Sequence, residues 1–147
     1  MKKLHFEIDI NASPEKVWDA VVDDRKYREW TSAFQEGSYF EGGWEKGDSI
    51  RFMAENMDGG MVSEIAESRK YSFISIKHLG MIKEGKVDTT SEEVRKWVPA
   101  YENYTFKKSD GKTKFEVELD SDESYEEMFT TTWPEALKKL KGVAERG

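Results

Sequence analysis

The sequence predicts an α+β domain: an antiparallel sheet of six to seven strands, two short helices after the first strand, and a long C-terminal helix packed on the sheet. Three observations carry this. Apolar residues alternate with polar ones in the first and last strands, in Leu4, Phe6, Ile8 and Ile10 and again in Phe115, Val117 and Leu119. Turn signals recur through the middle of the chain at the spacing of hairpins. The last part of the chain instead follows a helical period, and a helix with one apolar face after a sheet with one apolar face must pack on it.

The elements follow in order. Residues 3–10 form the first strand, with Lys3, His5, Glu7 and Asp9 on the polar face. Ser13 followed by Pro14 reads as an N-cap and first helical position, opening a helix on Val17, Ala20 and Val21, with Trp18 and Val22 beside that stripe. Asp23 and Asp24 cap a second short helix that carries Tyr27 and ends near Trp30. Turns follow at Gly42-Gly43, Gly47-Asp48, Asp58-Gly59-Gly60, residues 67–70 and Ser109-Asp110-Gly111. They delimit strands over 49–55, 61–66, 71–79, 101–107 and 113–119. Asp110-Gly111 is the strongest hairpin signal among them.

Residues 80–100 are a long excursion between strands, the kind of connection that often carries function. Met81-Ile82, a turn at Lys83-Glu84-Gly85, a capping box over residues 90–93, and then Val94, Trp97 and Val98 lie within it. The final helix starts with Ser124 as N-cap and Glu127 reaching back. Tyr125, Met128, Phe129, Trp133, Ala136, Leu137 and Leu140 form its stripe, and at about 22 residues it spans about 33 Å. Pro134 interrupts its hydrogen bonding.

Composition bounds the function. The 147 residues make one domain, 1–147, with a net charge of −7. Charged residues reach 36%, and mean hydropathy is −0.81. Disordered chains of that polarity lack rings, whereas 13% of this chain is Phe, Trp or Tyr. Without cysteine there is no disulfide, thiolate metal site or thiol nucleophile. No basic patch suits nucleic acid or an anionic membrane, no run of 18 apolar residues spans one, and the segment after Met1-Lys2-Lys3 is too polar for a signal peptide. A cytoplasmic location is expected, with no cofactor and no metal.

Several motifs fall away. Gly80, Gly85 and Lys86 have the spacing of a phosphate-cradling loop, but Val87 stands where a magnesium-binding hydroxyl belongs. Asp120, Asp122 and Glu123 lack the glycine and terminal glutamate of a calcium loop. His78 is different, because it shares the inward face of its strand with Ile74 and Ile76. Glu102, Tyr104 and Phe106 share that face on the paired strand, so His78, Glu102 and Tyr104 converge beneath Trp133. Such a trio is a self-satisfied buried network, a contact for a ligand's polar end, or an acid–base pair. No nucleophile, paired carboxylates or metal cluster adds to the catalytic reading, so no catalytic residue is assigned. Met53, Met57, Met61 and Met81 stand near strand ends and in loops, where adaptable thioethers suit a variable apolar guest.

The opening Ile10, Ala12, Pro14, Glu15, Val17, Trp18 and Ala20, then Trp30, resembles the START-like (SRPBCC) superfamily. Within it, the likeness is to bacterial proteins similar to the activator of the heat-shock protein ninety ATPase. Gly42, Gly43, Trp44 and Gly47, the Glu102–Phe106 stretch, and Trp133, Pro134, Ala136 and Leu137 extend it over the whole chain. The resemblance implies a helix-grip fold: a curved sheet wrapped around the last helix, enclosing a cavity for lipids, polyketides or similar molecules, with some members being enzymes. The eukaryotic activator has a separate chaperone-contacting domain that this sequence does not match, so a chaperone partner is the weaker expectation.

Binding of a small hydrophobic molecule is therefore the first expectation. Phe52, Met61, Ile76, His78, Glu102, Tyr104, Phe129 and Trp133 are the expected ligand-binding residues, with Met81 and Trp97 acting as a lid. A small cyclase, dehydratase or hydrolase using His78 with Glu102 or Tyr104 is the alternative. Another is a protein-interaction module presenting Tyr39, Phe40 and Trp44. A monomer or weak homodimer is expected.

Overall fold

The computed structural model describes residues 1–53 and 59–146. Met57, Asp58 and the strand end at Glu55 lie outside the described residues. Strand β1 (Lys2–Ile10) leads into α1 (Pro14–Val22) and α2 (Asp24–Thr31), and then come β2 (Tyr39–Gly42), β3 (Ser49–Met53), β4 (Gly59–Arg69), β5 (Phe73–Lys83) and β6 (Lys86–Asp88). The short α3 (Glu92–Arg95), β7 (Ala100–Ser109), β8 (Lys112–Ser121) and α4 (Glu123–Arg146) complete the chain. The strands form one antiparallel sheet in the order β1-β8-β7-β5-β4-β3-β2, with β6 paired to β5.

Local chemistry starts and stops these elements. The Ser13 hydroxyl accepts from Lys16 N at 3.3 Å, and the Asp23 carboxylate accepts from Lys26 N at 3.1 Å, which caps α1 and α2. Asp110 and Gly111 both adopt positive φ in the two-residue β7–β8 loop, as a hairpin of matching twist requires. Glu84 and Gly85 do the same between β5 and β6.

The structure corrects the sequence reading at several points. There are eight strands among the described residues, because β2 and β6 have four and three residues, too few to show a period. The β4–β5 turn lies two residues later than expected, with Tyr71 at φ 71° as a turn residue rather than the start of a strand. Ser124 does not cap α4: the helix already includes Glu123, and the Ser124 hydroxyl donates to the Asp122 carboxylate. Residues 80–100 are not a loose excursion. Half of the segment is the β5–β6 hairpin, and α3 starts on Ser91, whose hydroxyl accepts from Val94 N. Gly80 in the phosphate-loop look-alike serves close packing, since a Cβ there would lie 2.2 Å from the Asp88 carbonyl oxygen.

The core joins the sheet's inner face to α1, α2 and the second half of α4. Ile10, Val17, Trp30, Ile74, Ile76, Phe115, Val117, Ala136 and Leu140 are enclosed there. Tyr39, Phe40 and Trp44 form no exposed patch. Phe40 and Trp44 pack on that core, and Phe40 meets Tyr27 edge to face at 5.0 Å.

Two β-bulges bend the sheet, because Leu79 on β5 and Ala66 on β4 have no register partner. The first also decides what the sheet shows to its concave side. Alternation alone puts His78 and Met81, three residues apart, on opposite faces, and the extra residue at Leu79 brings them to one.

Candidate functional site

The apolar stripe of α4 has two fates. Past Pro134, residues Ala136, Leu137, Leu140, Val143 and Ala144 are buried in the core. Ahead of it, Tyr125 and Met128 remain 56% and 44% exposed although they lie on the same stripe. Beneath them is a cavity of about 860 Å³ between α4, α2, the α3 region and the sheet. That volume suits a drug-sized guest, within the roughly 300–1,000 Å³ usual for ligand pockets.

The sheet supplies one wall. Phe52 pairs with Met61 in register, and Met61 with Met81, so three lining side chains stand in a row across β3, β4 and β5. His78, Glu102 and Tyr104 form the polar part of the lining, while Phe129 and Trp133 come from α4. Trp97 reaches the cavity from the residues after α3. Nine of the ten expected residues therefore line one space. Ile76 does not: it is fully enclosed in the core. Met81 belongs to the wall of β5 rather than to a lid, because the bulge turns it inward from regular strand.

The polar trio meets as the strand faces predict. His78 Nε2 lies 3.1 Å from Glu102 Oε1, and the Tyr104 hydroxyl donates to Glu102 Oε2. Trp133 and Tyr104 have their ring centroids 6.2 Å apart. Ser63 is a further member missed by the sequence reading, with its hydroxyl 2.7 Å from His78 Nδ1. Its position was readable, since it stands two residues from Met61 on the same face of β4. Ser63 is only 1% exposed and is not part of the cavity lining, which removes it as a nucleophile toward a cavity guest.

Burial holds both nearby phenols in the neutral form. The Tyr104 hydroxyl is pushed well above its ordinary range by desolvation, with the Glu102 charge and the hydrogen bond to it adding to the rise. Tyr27 is raised by the same burial and the same charge. Tyr27, Trp30 and Thr31 of α2, with Phe34 beyond it, complete the apolar lining. The sequence signal for them was the i, i+3 spacing of Tyr27 and Trp30 on one helix face.

A second polar group lies on the outer side of the sheet, where side-chain ligand atoms of His5, Glu7 and Glu116 come within 4.8 Å of one another. Its carboxylates already have cations: Lys114 Nζ is 3.2 Å from Glu7, and Lys107 Nζ is 3.1 Å from Glu116.

A curved sheet gripping a long helix, with a cavity under the helix's first half, is the architecture of the START-like class. Residues 1–145 match the family described as polyketide cyclase / dehydrase and lipid transport, and the chain belongs to that family. A search of curated proteins finds no match. Among solved structures, protein MLL2253 from Mesorhizobium loti superposes with a TM-score of 0.76 at 14% identity, over 99% of this chain and 98% of that one. Aha1 from Colwellia psychrerythraea, solved as a dimer, gives 0.75 at 18% identity over 99% and 97% of the two chains. The AHSA1-like protein from Aeromonas hydrophila gives 0.66 at 14%, over 99% and 93%. At such identities the likeness carries the fold alone. No helix among the described residues is long and apolar enough to cross a membrane.

Proposed function

We propose that the protein binds a small hydrophobic molecule in the cavity between the sheet and the first half of α4. The observation that carries this is the divided helix stripe. Tyr125, Met128 and Phe129 continue the apolar face of α4 but overlie a cavity of about 860 Å³ instead of packed core. Apolar side chains at its mouth are exposed to water, and a guest takes that surface out of water. The methionines of the wall can reshape around guests of different outline, and family membership supports the same reading. The test is native mass spectrometry of protein isolated from its host, followed by titration with lipid and polyketide panels. A co-purifying apolar species, or saturable binding by a panel member, supports the reading. A protein that carries nothing and binds no member of either panel contradicts it.

A second reading, acid–base chemistry of the cyclase, dehydratase or hydrolase kind, is favoured by one observation. His78, Glu102 and Tyr104 are in mutual hydrogen-bond reach and all line the cavity. Conversion of a bound polyketide, lost in His78→Phe with binding retained, supports it.

A further inference from the structure

The polar part of the cavity lining has a directional bias in its hydrogen bonding. A carboxylate is an acceptor only, and each of its oxygens takes more than one donor. Glu102 receives one hydrogen bond from Tyr104 and one from His78. The Tyr104 hydrogen is thereby committed, and both nitrogens of His78 are engaged, one on Glu102 and one on Ser63. What this network has left for a guest is acceptor capacity, on the Glu102 carboxylate and the Tyr104 phenolic oxygen. The Tyr27 hydroxyl, held protonated by burial, can serve in either direction and so does not discriminate. The indole nitrogens of Trp30 and Trp133 are enclosed and without a hydrogen-bond partner, and neither belongs to the network around Glu102.

Charge points the same way. Among the described residues Glu102 has no lysine or arginine partner, and its hydrogen-bonded neighbours are His78 and Tyr104. Glu93, Asp120 and Asp122 also line the cavity beside Lys96 and Met1, with Lys83 3.9 Å from Glu93 and Lys3 3.3 Å from Asp120, so two of these carboxylates have a lysine partner where Glu102 has none among the described residues. Next to this carboxylate, Phe52 meets His78 edge to face at 5.9 Å, so the polar end of the cavity is bordered by apolar surface.

Resting on the binding reading above, we infer that the buried end of the guest carries a hydrogen-bond donor, either a neutral hydroxyl or a protonated amine, received by Glu102. Apolar molecules that end in a carboxylate, fatty acids included, are rejected at that end by the like charge of Glu102 and because the donors of its network are already committed.

Four naphthalenes of near-equal size, substituted at one ring position with hydroxyl, aminomethyl, methoxy or carboxylate, separate these chemistries by isothermal titration calorimetry at neutral pH. The naphthol and the amine are expected to bind at least about tenfold tighter than the methoxy compound, with naphthoate weakest. The two donor-bearing probes distinguish a neutral from a cationic guest. In Glu102→Gln, checked for folding by its melting curve, naphthoate is expected to recover to within about threefold of the methoxy compound. Naphthoate binding the wild type as tightly as naphthol overturns the inference whatever the variant does, and so does a folded Glu102→Gln protein with the original ranking. Binding of all four without preference leaves the cavity reading standing and removes this one. Binding of none removes both.

Discussion

His78 reaches Glu102 diagonally across the sheet: its register partner is Ala100, and that of Glu102 is Ile76, yet Nε2 and Oε1 stand 3.1 Å apart. The contact ties β5 to β7, and Ser63 extends it to β4, so one buried polar chain crosses three adjacent strands at the cavity wall. Every member is served. His78 is paired at both ring nitrogens, Nε2 with Glu102 and Nδ1 with the Ser63 hydroxyl, while Tyr104 donates to the other carboxylate oxygen.

Replacing His78 removes the hydrogen-bond partners of Glu102 and Ser63 at once. His78→Leu is expected to destabilise by about 1–3 kcal/mol, the usual cost of stranding buried polar groups. Ser63→Ala measured alone and in the double variant should show coupling above about 0.5 kcal/mol in urea denaturation. Strict additivity contradicts the linked network.

Tyr27 and Tyr104 predict alkaline sensitivity. In the unfolded chain their phenols ionise near 10.0, whereas burial raises both in the folded protein. Above that pH the unfolded state holds fewer protons, so their contribution is fully present below about pH 9 and declines as pH rises past 10. Each adds at most about 1.4 kcal/mol per pH unit to the decline. Tyr104→Phe should flatten the fall in stability between pH 9 and 11 by about one such increment. Tyrosinate absorbance should show part of the phenol population ionising only on unfolding.

Two rings one turn apart on α4 respond differently to truncation. Trp133 is 3% exposed and meets the rings of Phe6, Trp30, Phe34 and Tyr104. Trp133→Ala is expected to cost about 3–5 kcal/mol and to enlarge the cavity. Phe129 is only partly buried, so Phe129→Ala should cost about 1 kcal/mol while weakening ligand binding. Equal losses from the two variants in thermal and urea unfolding contradict this difference in burial.

Where period and capping chemistry act locally, the sequence was readable: strict alternation in β1 and β8, the Ser13 and Asp23 caps, and the helical stripe of α4. Meeting of His78, Glu102 and Tyr104 followed from strand faces alone. Met81 illustrates what local pattern misses. Its inward orientation depends on a bulge at Leu79, and a bulge is set by pairing with β4 rather than by any feature of β5 itself. Ile76 shows the reverse error, because inward on the sheet means core where α4 packs and cavity only where it does not. The contribution of α2 was missed for a related reason: the ring spacing of Tyr27 and Trp30 shows a buried face, not what that face meets. The aromatic excess is now accounted for, with some rings closing the core and others, such as Phe34 and Phe129, lining the remaining space.

The methyl groups of methionine give the most direct test of a ligand site in this cavity. Met53, Met61, Met81 and Met128 line it, whereas Ile10, Ile50 and Ile74 are fully enclosed elsewhere in the fold. In a protein labelled on both residue types, titration with naphthol should shift the four methionine methyl resonances saturably and leave those isoleucine methyls nearly unmoved. Unshifted methionines at saturating naphthol, or shifts confined to groups outside the cavity, contradict a binding site between the sheet and α4.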